Sequence, residues 1–204
     1  MVRRLACLAA AGLILGTMAG CLRSPATRFY TLMPVATPDT LPPAATKVAS
    51  SVGIRSVWLP PTLDRPQIAT RTGAHTFAFS EFDRWSAPLD ETVAHVMAEN
   101  LAIRLGGEPV AVYPWPPRAV VDREVMVEIS RFDGRLGGPC VLEARWRIVH
   151  KNASHPPIAG RSSATETAGA DYPSLVAAHS RLIDALSADI AAALRRDTLT
   201  GHVR

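Results

Sequence analysis

The sequence predicts an α+β fold in which two main amphipathic helices pack on a mostly antiparallel sheet, giving two layers. Residues 124–132 and 141–150 alternate between apolar and charged side chains, which is typical of strands with one buried and one wet face. Residues 88–105 and 172–195 instead carry apolar side chains at helical spacing. A chain of 204 residues is long enough for one such domain with tails.

The remaining elements follow in the order strands, helix, strands, helix. Aromatic and β-branched residues favour a first strand at 28–32, and residues 67–71 and 76–79 have the pattern of a hairpin. The domain is expected to span 28–196, with a proline-rich loop at 34–49 and a flexible tail at 197–204. Further strands are expected at 51–58, 109–113 and 158–167.

The amino terminus has the layout of an export signal. Arg3 and Arg4 precede an uncharged apolar stretch at 5–15, which is too short to span a bilayer comfortably. The small residue Gly20 then precedes Cys21, so a lipoprotein signal peptidase could cut between them and leave the cysteine as the first residue. The alternative is a plain signal peptide, or an amino-terminal helix, whose cysteine is not modified.

On the first interpretation, residues 1–20 are a lipoprotein signal peptide and residues 21–27 are an acylated tether. The Cys21 thiol would carry a diacylglycerol and its amine an N-acyl chain such as palmitate, and no other cofactor is expected. Each buried acyl CH₂ adds about 0.8 kcal/mol of membrane affinity, so two or three chains would hold firmly. Leu22, rather than an aspartate, favours the periplasmic face of the outer membrane over retention at the inner membrane.

Charge, cysteine and motif content exclude several classes of protein. Without Arg3 and Arg4 the chain has 20 basic against 18 acidic residues, so its charge gives no reason to expect nucleic-acid binding. Cys140 would then have no disulfide partner and is expected to be a small buried residue. His179 lies on an apolar helix stripe and is expected in the core rather than at a metal. No metalloprotease, nucleophile-elbow or phosphate-loop motif occurs, so we expect no enzymatic activity.

Several short motifs follow one another in a fixed order along the mature chain. They are Cys21 with Ser24-Pro25, Phe29-Tyr30-Thr31-Leu32, Leu59-Pro60, Leu63-Asp64-Arg65-Pro66-Gln67-Ile68 with Arg71, Arg84-Trp85, Pro88-Leu89 and Pro114-Trp115. This ordered set resembles the PqiC-type, or YmbA-like, family of ABC transport auxiliary lipoproteins. Ala87 stands where that family carries an acid, so this chain lacks a carboxylate there that could pair with Arg84.

The resemblance implies a non-enzymatic auxiliary subunit that works beside an MCE-domain protein and the permease and ATPase subunits of an ABC system. Such systems are linked to lipid movement between the two membranes and to envelope integrity. The acyl anchor would attach the chain to the membrane, and homo-oligomerisation would suit a tubular MCE partner. The alternative is a periplasmic lipid-binding carrier, with a cavity beside small residues at Ala94, Ala98, Ala177 and Ala178.

Two segments are candidates for a partner interface. Asp64, Arg65 and Arg71 belong to a turn and the strand that follows it, and Arg84 and Trp85 are expected in a loop before the first helix. Arginine and tryptophan are enriched where proteins bind each other most tightly. The alternatives are that the acid–arginine pair only braces its turn and that the tryptophan closes the core over the helix start.

Overall fold

The computed structural model describes residues 25–36, 51–107, 109–151 and 155–201. For residues 199–201 it describes the backbone only. The predicted signal peptide, the cleavage pair Gly20 and Cys21, and most of the proline-rich loop lie outside the described residues. Their assignment therefore stays a prediction.

Within these ranges the chain forms eight strands, one short 3₁₀ turn and two α-helices. In chain order they are β1 (Arg28–Tyr30), β2 (Val52–Trp58), the 3₁₀ turn (Pro61–Leu63), β3 (Gln67–Arg71), β4 (Phe77–Trp85), α1 (Leu89–Arg104), β5 (Ala111–Val112), β6 (Arg123–Gly134), β7 (Pro139–His150), β8 (Ile158–Thr167) and α2 (Tyr172–Gly201). The α+β class with two packing helices is confirmed.

The larger sheet has five strands in the order β5-β2-β6-β7-β8. Strands β6, β7 and β8 form an antiparallel meander, whereas β2 runs parallel to both β5 and β6. The predicted alternation of β6 and β7 is confirmed, because Val125, Val127 and Ile129 are buried while Glu128 and Arg145 are exposed. One face of this sheet therefore packs inward, and the other faces solvent.

The strands are divided between two sheets, a detail that the sequence did not indicate. Strand β4 pairs in parallel with β1 and antiparallel with β3, giving a three-stranded sheet. The predicted hairpin is thus confirmed as β3 and β4. Pro60 and Pro61 explain the division, because prolines cannot continue the hydrogen-bonded ladder of β2 and the chain turns away there.

Helices α1 and α2 cover the inner face of the larger sheet and contact each other. Helix α1 ends before Gly106 and Gly107, both at positive φ, as the sequence indicated. Helix α2 continues to Gly201, past its expected end at Arg195. Polar contacts account for the extra turn, since the Arg123 guanidinium donates to the Thr198 hydroxyl over 3.0 Å.

Candidate functional site

The turn between β2 and β3 presents two of the predicted site residues to solvent. Leu63 is buried and fixes the turn to the core, while Asp64 and Arg65 are exposed. The backbone closes the turn, because the Asp64 and Arg65 amides donate to the carbonyls of Pro61 and Leu63 at 3.2 and 2.8 Å. Their side chains are not needed for those bonds and remain available to a partner.

Arg65 also stacks on an exposed aromatic ring. Its guanidinium carbon lies 4.0 Å from the centre of the Phe79 ring, which is 40% exposed. A cation–π contact of this kind holds the arginine in one orientation. We call Asp64, Arg65 and Phe79 the turn surface. The sequence indicated the first two residues, and Phe79 was missed because the pairing of β3 with β4, which sets it opposite Ala69, brings it near Arg65.

Trp58 borders the turn surface. It is 60% exposed at the end of β2 and lines, with Asp64 and Asp90, a depression of about 220 Å³ beside the start of α1. A large exposed aromatic ring beside charged side chains is a feature of protein interfaces.

Arg71 is committed to a contact inside the molecule. Its guanidinium donates to both carboxylate oxygens of Asp133 on β6, over 2.7 and 3.0 Å, and Arg131 donates to the same carboxylate. Burial opposes ionisation of Asp133, but the hydrogen bonds from the two arginines outweigh it and lower the pKa of this carboxyl below its usual value. We call these three residues the inter-sheet cluster, because it joins β3 of the smaller sheet to β6 of the larger one.

Arg84 and Trp85 are the last residues of β4 rather than part of a loop. The Trp85 side chain is 7% exposed and its ring meets that of His179 edge-on, with centres 6.4 Å apart. Arg84 is half-buried and donates to the Glu81 carbonyl over 3.3 Å. The structure therefore does not bring this pair onto the turn surface, and a role for either residue in a partner interface stays a prediction.

A polar cluster around Asp83 holds the strand that follows the predicted tether. Asp83 is 3% exposed and accepts hydrogen bonds from the hydroxyls of Tyr30 and Ser80, over 2.9 and 2.8 Å. It also forms an ion pair with Arg28 at 2.8 Å. Burial opposes ionisation, but hydrogen bonds from Arg28, Ser80 and Tyr30 lower the pKa of the carboxyl. Sequence analysis missed this cluster, since 53 positions separate Tyr30 from Asp83.

The buried cysteine and histidine have no features of catalytic groups. Cys140 is fully buried, and burial raises the pKa of its thiol to about 11, so the reactive thiolate is scarce at neutral pH. His179 is 2% exposed, and burial lowers the pKa of its imidazole to about 4. Both lie in the core, as the sequence predicted. The described residues include no group of three side chains suited to holding a metal ion.

Large side chains fill the space between the helices and the larger sheet. Ala94, Ala98 and Ala178, which the sequence suggested could leave room for a lipid, are buried, whereas Ala177 is exposed. The fully buried neighbours include Ile54, Met97, Leu101, Leu182 and Leu186. Close packing of this kind does not favour an acyl-chain cavity there.

No helix in the described ranges of the chain is long and apolar enough to cross a bilayer.

The class of protein follows from a family match that covers most of the described fold. The model of the family described as ABC-type transport auxiliary lipoprotein component matches residues 30–191, from the end of β1 into α2. The chain therefore belongs to this family of auxiliary transport lipoproteins, and the predicted resemblance is confirmed. The family description places the chain in the cell envelope and beside a transporter; it names no catalytic activity.

Among individual proteins, the chain is similar to the intermembrane transport lipoprotein PqiC of Escherichia coli K12. The two are 23% identical over 139 residues, which is 66% of this chain and 70% of PqiC. The PqiC of Shigella flexneri matches with the same identity and coverage.

Two solved structures share the fold. A crystal structure from Xanthomonas campestris superposes with a TM-score of 0.70 at 12% identity, covering 86% of this chain and all of the other. A crystal structure of an uncharacterized protein gives a TM-score of 0.66 at 20% identity, covering 83% of this chain and 99% of the other. At such low identity these likenesses show the fold alone.

Proposed function

We propose that this chain is a non-enzymatic auxiliary subunit of an MCE/ABC-type system for trans-envelope lipid transport. The acylated Cys21 anchors it at the periplasmic face of the outer membrane, where it docks the transporter and supports envelope integrity. The turn surface contacts the MCE-domain protein, and sister copies of the chain assemble around it.

The observation that carries this proposal is the firm attachment of β1, the strand directly after the predicted tether, to the rest of the domain. Asp83 ties Arg28 and Tyr30 of β1 to β4. Arg28 lies seven positions after Cys21, and an extended chain of that length reaches at most about 25 Å. An anchor at Cys21 would therefore keep the start of the folded body within about 25 Å of the membrane.

The anchor is tested by replacing Cys21 with serine in the full chain and separating membrane from soluble fractions. We expect Cys21→Ser to lose firm membrane retention, because the thioether cannot form. Cys140→Ala is the matched control, since it removes a buried thiol and leaves the anchor intact. Retention of Cys21→Ser in the outer membrane, with normal envelope integrity, would refute the anchoring.

Docking is tested by co-expressing the anchored protein with an MCE-domain protein of the same organism and measuring co-purification. Arg65→Glu reverses a charge on the turn surface and is expected to lower the recovered partner about tenfold or more, because arginine is enriched among the few interface residues whose loss costs about 2 kcal/mol or more. Arg135→Gln, in the exposed turn between β6 and β7, should have no effect. Equal recovery with both variants would contradict docking through this surface.

Homo-oligomerisation is measured by size-exclusion chromatography with light scattering on the anchored protein in detergent. An assembly of several copies supports a collar around a tubular partner, and a strict monomer would count against it.

A further inference from the structure

The face of the larger sheet that points away from the helices carries a groove of about 630 Å³. Its walls come from four adjacent strands: Trp58 on β2, Glu128 on β6, Arg145 and Arg147 on β7, and Arg161 on β8. All five residues are exposed, so the groove is open to solvent. None of these arginines belongs to the turn surface or to the inter-sheet cluster.

Strand register places four of these side chains in one row across the sheet. Trp58 lies opposite Glu128, Glu128 opposite Arg145, and Arg145 opposite Arg161. Directly paired residues project from the same face of a sheet, and strands are about 4.8 Å apart, so the row spans roughly 14 Å. Arg147 stands two residues from Arg145 on the same face, which brings three guanidinium groups to one end of the row.

The groove arginines have no intramolecular partner within the described ranges. Arg145, Arg147 and Arg161 make no side-chain hydrogen bond and no ion pair there, even though Glu128 stands in the same row. Arginines elsewhere in the described chain behave differently. Arg71, Arg104, Arg123 and Arg181 each pair with a carboxylate at 3.1 Å or less.

The chemistry of the groove selects an anion joined to an apolar group. A guanidinium fork matches the oxygens of a phosphate and donates two hydrogen bonds at once. The 60% exposed Trp58 ring and the half-buried Met126 offer apolar contact beside the arginines. Glu128 can accept from hydroxyl or ammonium donors of a headgroup. The groove volume lies within the range of about 300–1,000 Å³ typical of small-molecule sites, so the groove has room for a headgroup.

We propose that this groove binds the phosphodiester headgroup of an anionic glycerophospholipid. Arg145, Arg147 and Arg161 hold the phosphate oxygens, Glu128 accepts from the headgroup hydroxyls, and Trp58 lies against the glycerol and first acyl carbons. The choice of a lipid over a soluble phosphate rests on the proposed anchoring at a membrane. The phosphate site itself rests on the row of unpaired arginines alone.

The experiment measures binding of dioctanoyl phosphatidylglycerol to the anchored protein, purified in a non-ionic detergent, by native mass spectrometry. The wild-type chain should bind one lipid. Arg145→Gln combined with Arg161→Gln should weaken binding about a hundredfold, because each charge-assisted contact to phosphate contributes on the order of a tenfold change in affinity. Arg135→Gln removes one exposed charge outside the groove and should bind as wild type does.

Comparison ligands identify the recognised chemistry. Dioctanoylglycerol lacks the phosphate, and dioctanoyl phosphatidylcholine lacks a headgroup donor for Glu128, so both should bind more weakly than phosphatidylglycerol. Inorganic phosphate should compete only at much higher concentration, because it makes no contact with Trp58. Trp58→Ala should then weaken lipid binding and leave the affinity for inorganic phosphate itself unchanged.

Four results would overturn the proposal. The first is equal lipid binding by the double variant and the wild type, and the second is binding of dioctanoylglycerol as tight as that of phosphatidylglycerol. The third is competition by inorganic phosphate at the concentration of the lipid. The fourth is an oligomer that the double variant dissociates, which would make this face an interface between copies. Failure of the proposed function is separable from these results. Arg65→Glu tests docking on another surface, and lipid binding in detergent does not depend on outer-membrane sorting.

Discussion

The inter-sheet cluster and the groove both contain arginines, but the arginines of the cluster are paired with a carboxylate and those of the groove are not. In the cluster, Arg71 and Arg131 surround the buried carboxylate of Asp133, which accepts hydrogen bonds from both. In the groove, Arg145 and Arg161 lie in the open with no carboxylate bound to them in the described part of the chain. An arginine whose charge is balanced inside the fold stabilises the fold. One that is left unbalanced is available to an anion from outside.

The largest expected effect comes from breaking the cluster. Asp133→Ala leaves two guanidinium groups without their carboxylate at the junction of the sheets. Removing one partner of a buried ion pair costs about 3–5 kcal/mol in the free energy of unfolding, and we expect the lower end of this range because the Arg71 and Arg131 side chains are 23% and 37% exposed. Urea unfolding at pH 7, followed by circular dichroism, measures this loss.

Glu143→Ala is the matched control for this variant. Its carboxylate contacts the same Arg131 at 3.6 Å, but the Glu143 side chain is 50% exposed. Exposed ion pairs contribute only about 0–1 kcal/mol, so a small loss is expected. Equal losses for the two variants would show that the buried position of Asp133 does not matter.

A second prediction concerns His179, a buried titratable group that is kept neutral rather than paired. Burial lowers its pKa to about 4 from the usual 6.5. Between these values the unfolded chain binds a proton that the folded chain does not, so stability falls as the pH decreases. The slope is about 1.4 kcal/mol per pH unit, giving a loss of about 3 kcal/mol by pH 4.

His179→Phe should flatten this pH dependence of the unfolding free energy between pH 6.5 and 4. Part of the slope will remain, because burial also lowers the pKa of His150. A wild-type unfolding free energy that does not change over this range would contradict the buried neutral imidazole.

The sequence predicted those parts of the fold that depend on local pattern. Alternation defined β6 and β7, and helical spacing defined α1 and most of α2. The division into two sheets was not predictable, because the parallel pairing of β1 with β4 joins Tyr30 to Trp85 across a long stretch of chain. The end of β4 was missed since polar residues such as Glu81 and Asp83 interrupt its apolar pattern.

The candidate sites show the same limit. Turn chemistry was enough to predict a turn at Asp64 and Arg65 and to make both residues candidates for a partner interface. Arg71 was a candidate for a partner interface, which stays a prediction, and its pairing with Asp133, 62 positions away, could not be foreseen. Alternation alone exposes Arg145 and Arg147, whereas the addition of Arg161 to the same row requires the register of β7 with β8.

The smallest expected effect on stability is that of replacing an arginine of the groove. Arg145→Gln removes a charge that makes no contact in the described structure, and substitutions of that kind change stability by only about 0.5 kcal/mol in either direction. Arg71→Gln removes hydrogen bonds to a buried carboxylate and should cost about 2 kcal/mol. Urea midpoints at pH 7 compare the stability losses of the two variants.

A loss for Arg145→Gln as large as that for Arg71→Gln would make Arg145 a structural residue, and would contradict binding of an external anion in the groove. A neutral Arg145→Gln would mean that its charge is not needed for folding, so that any loss of lipid binding in the same variant reports on the ligand.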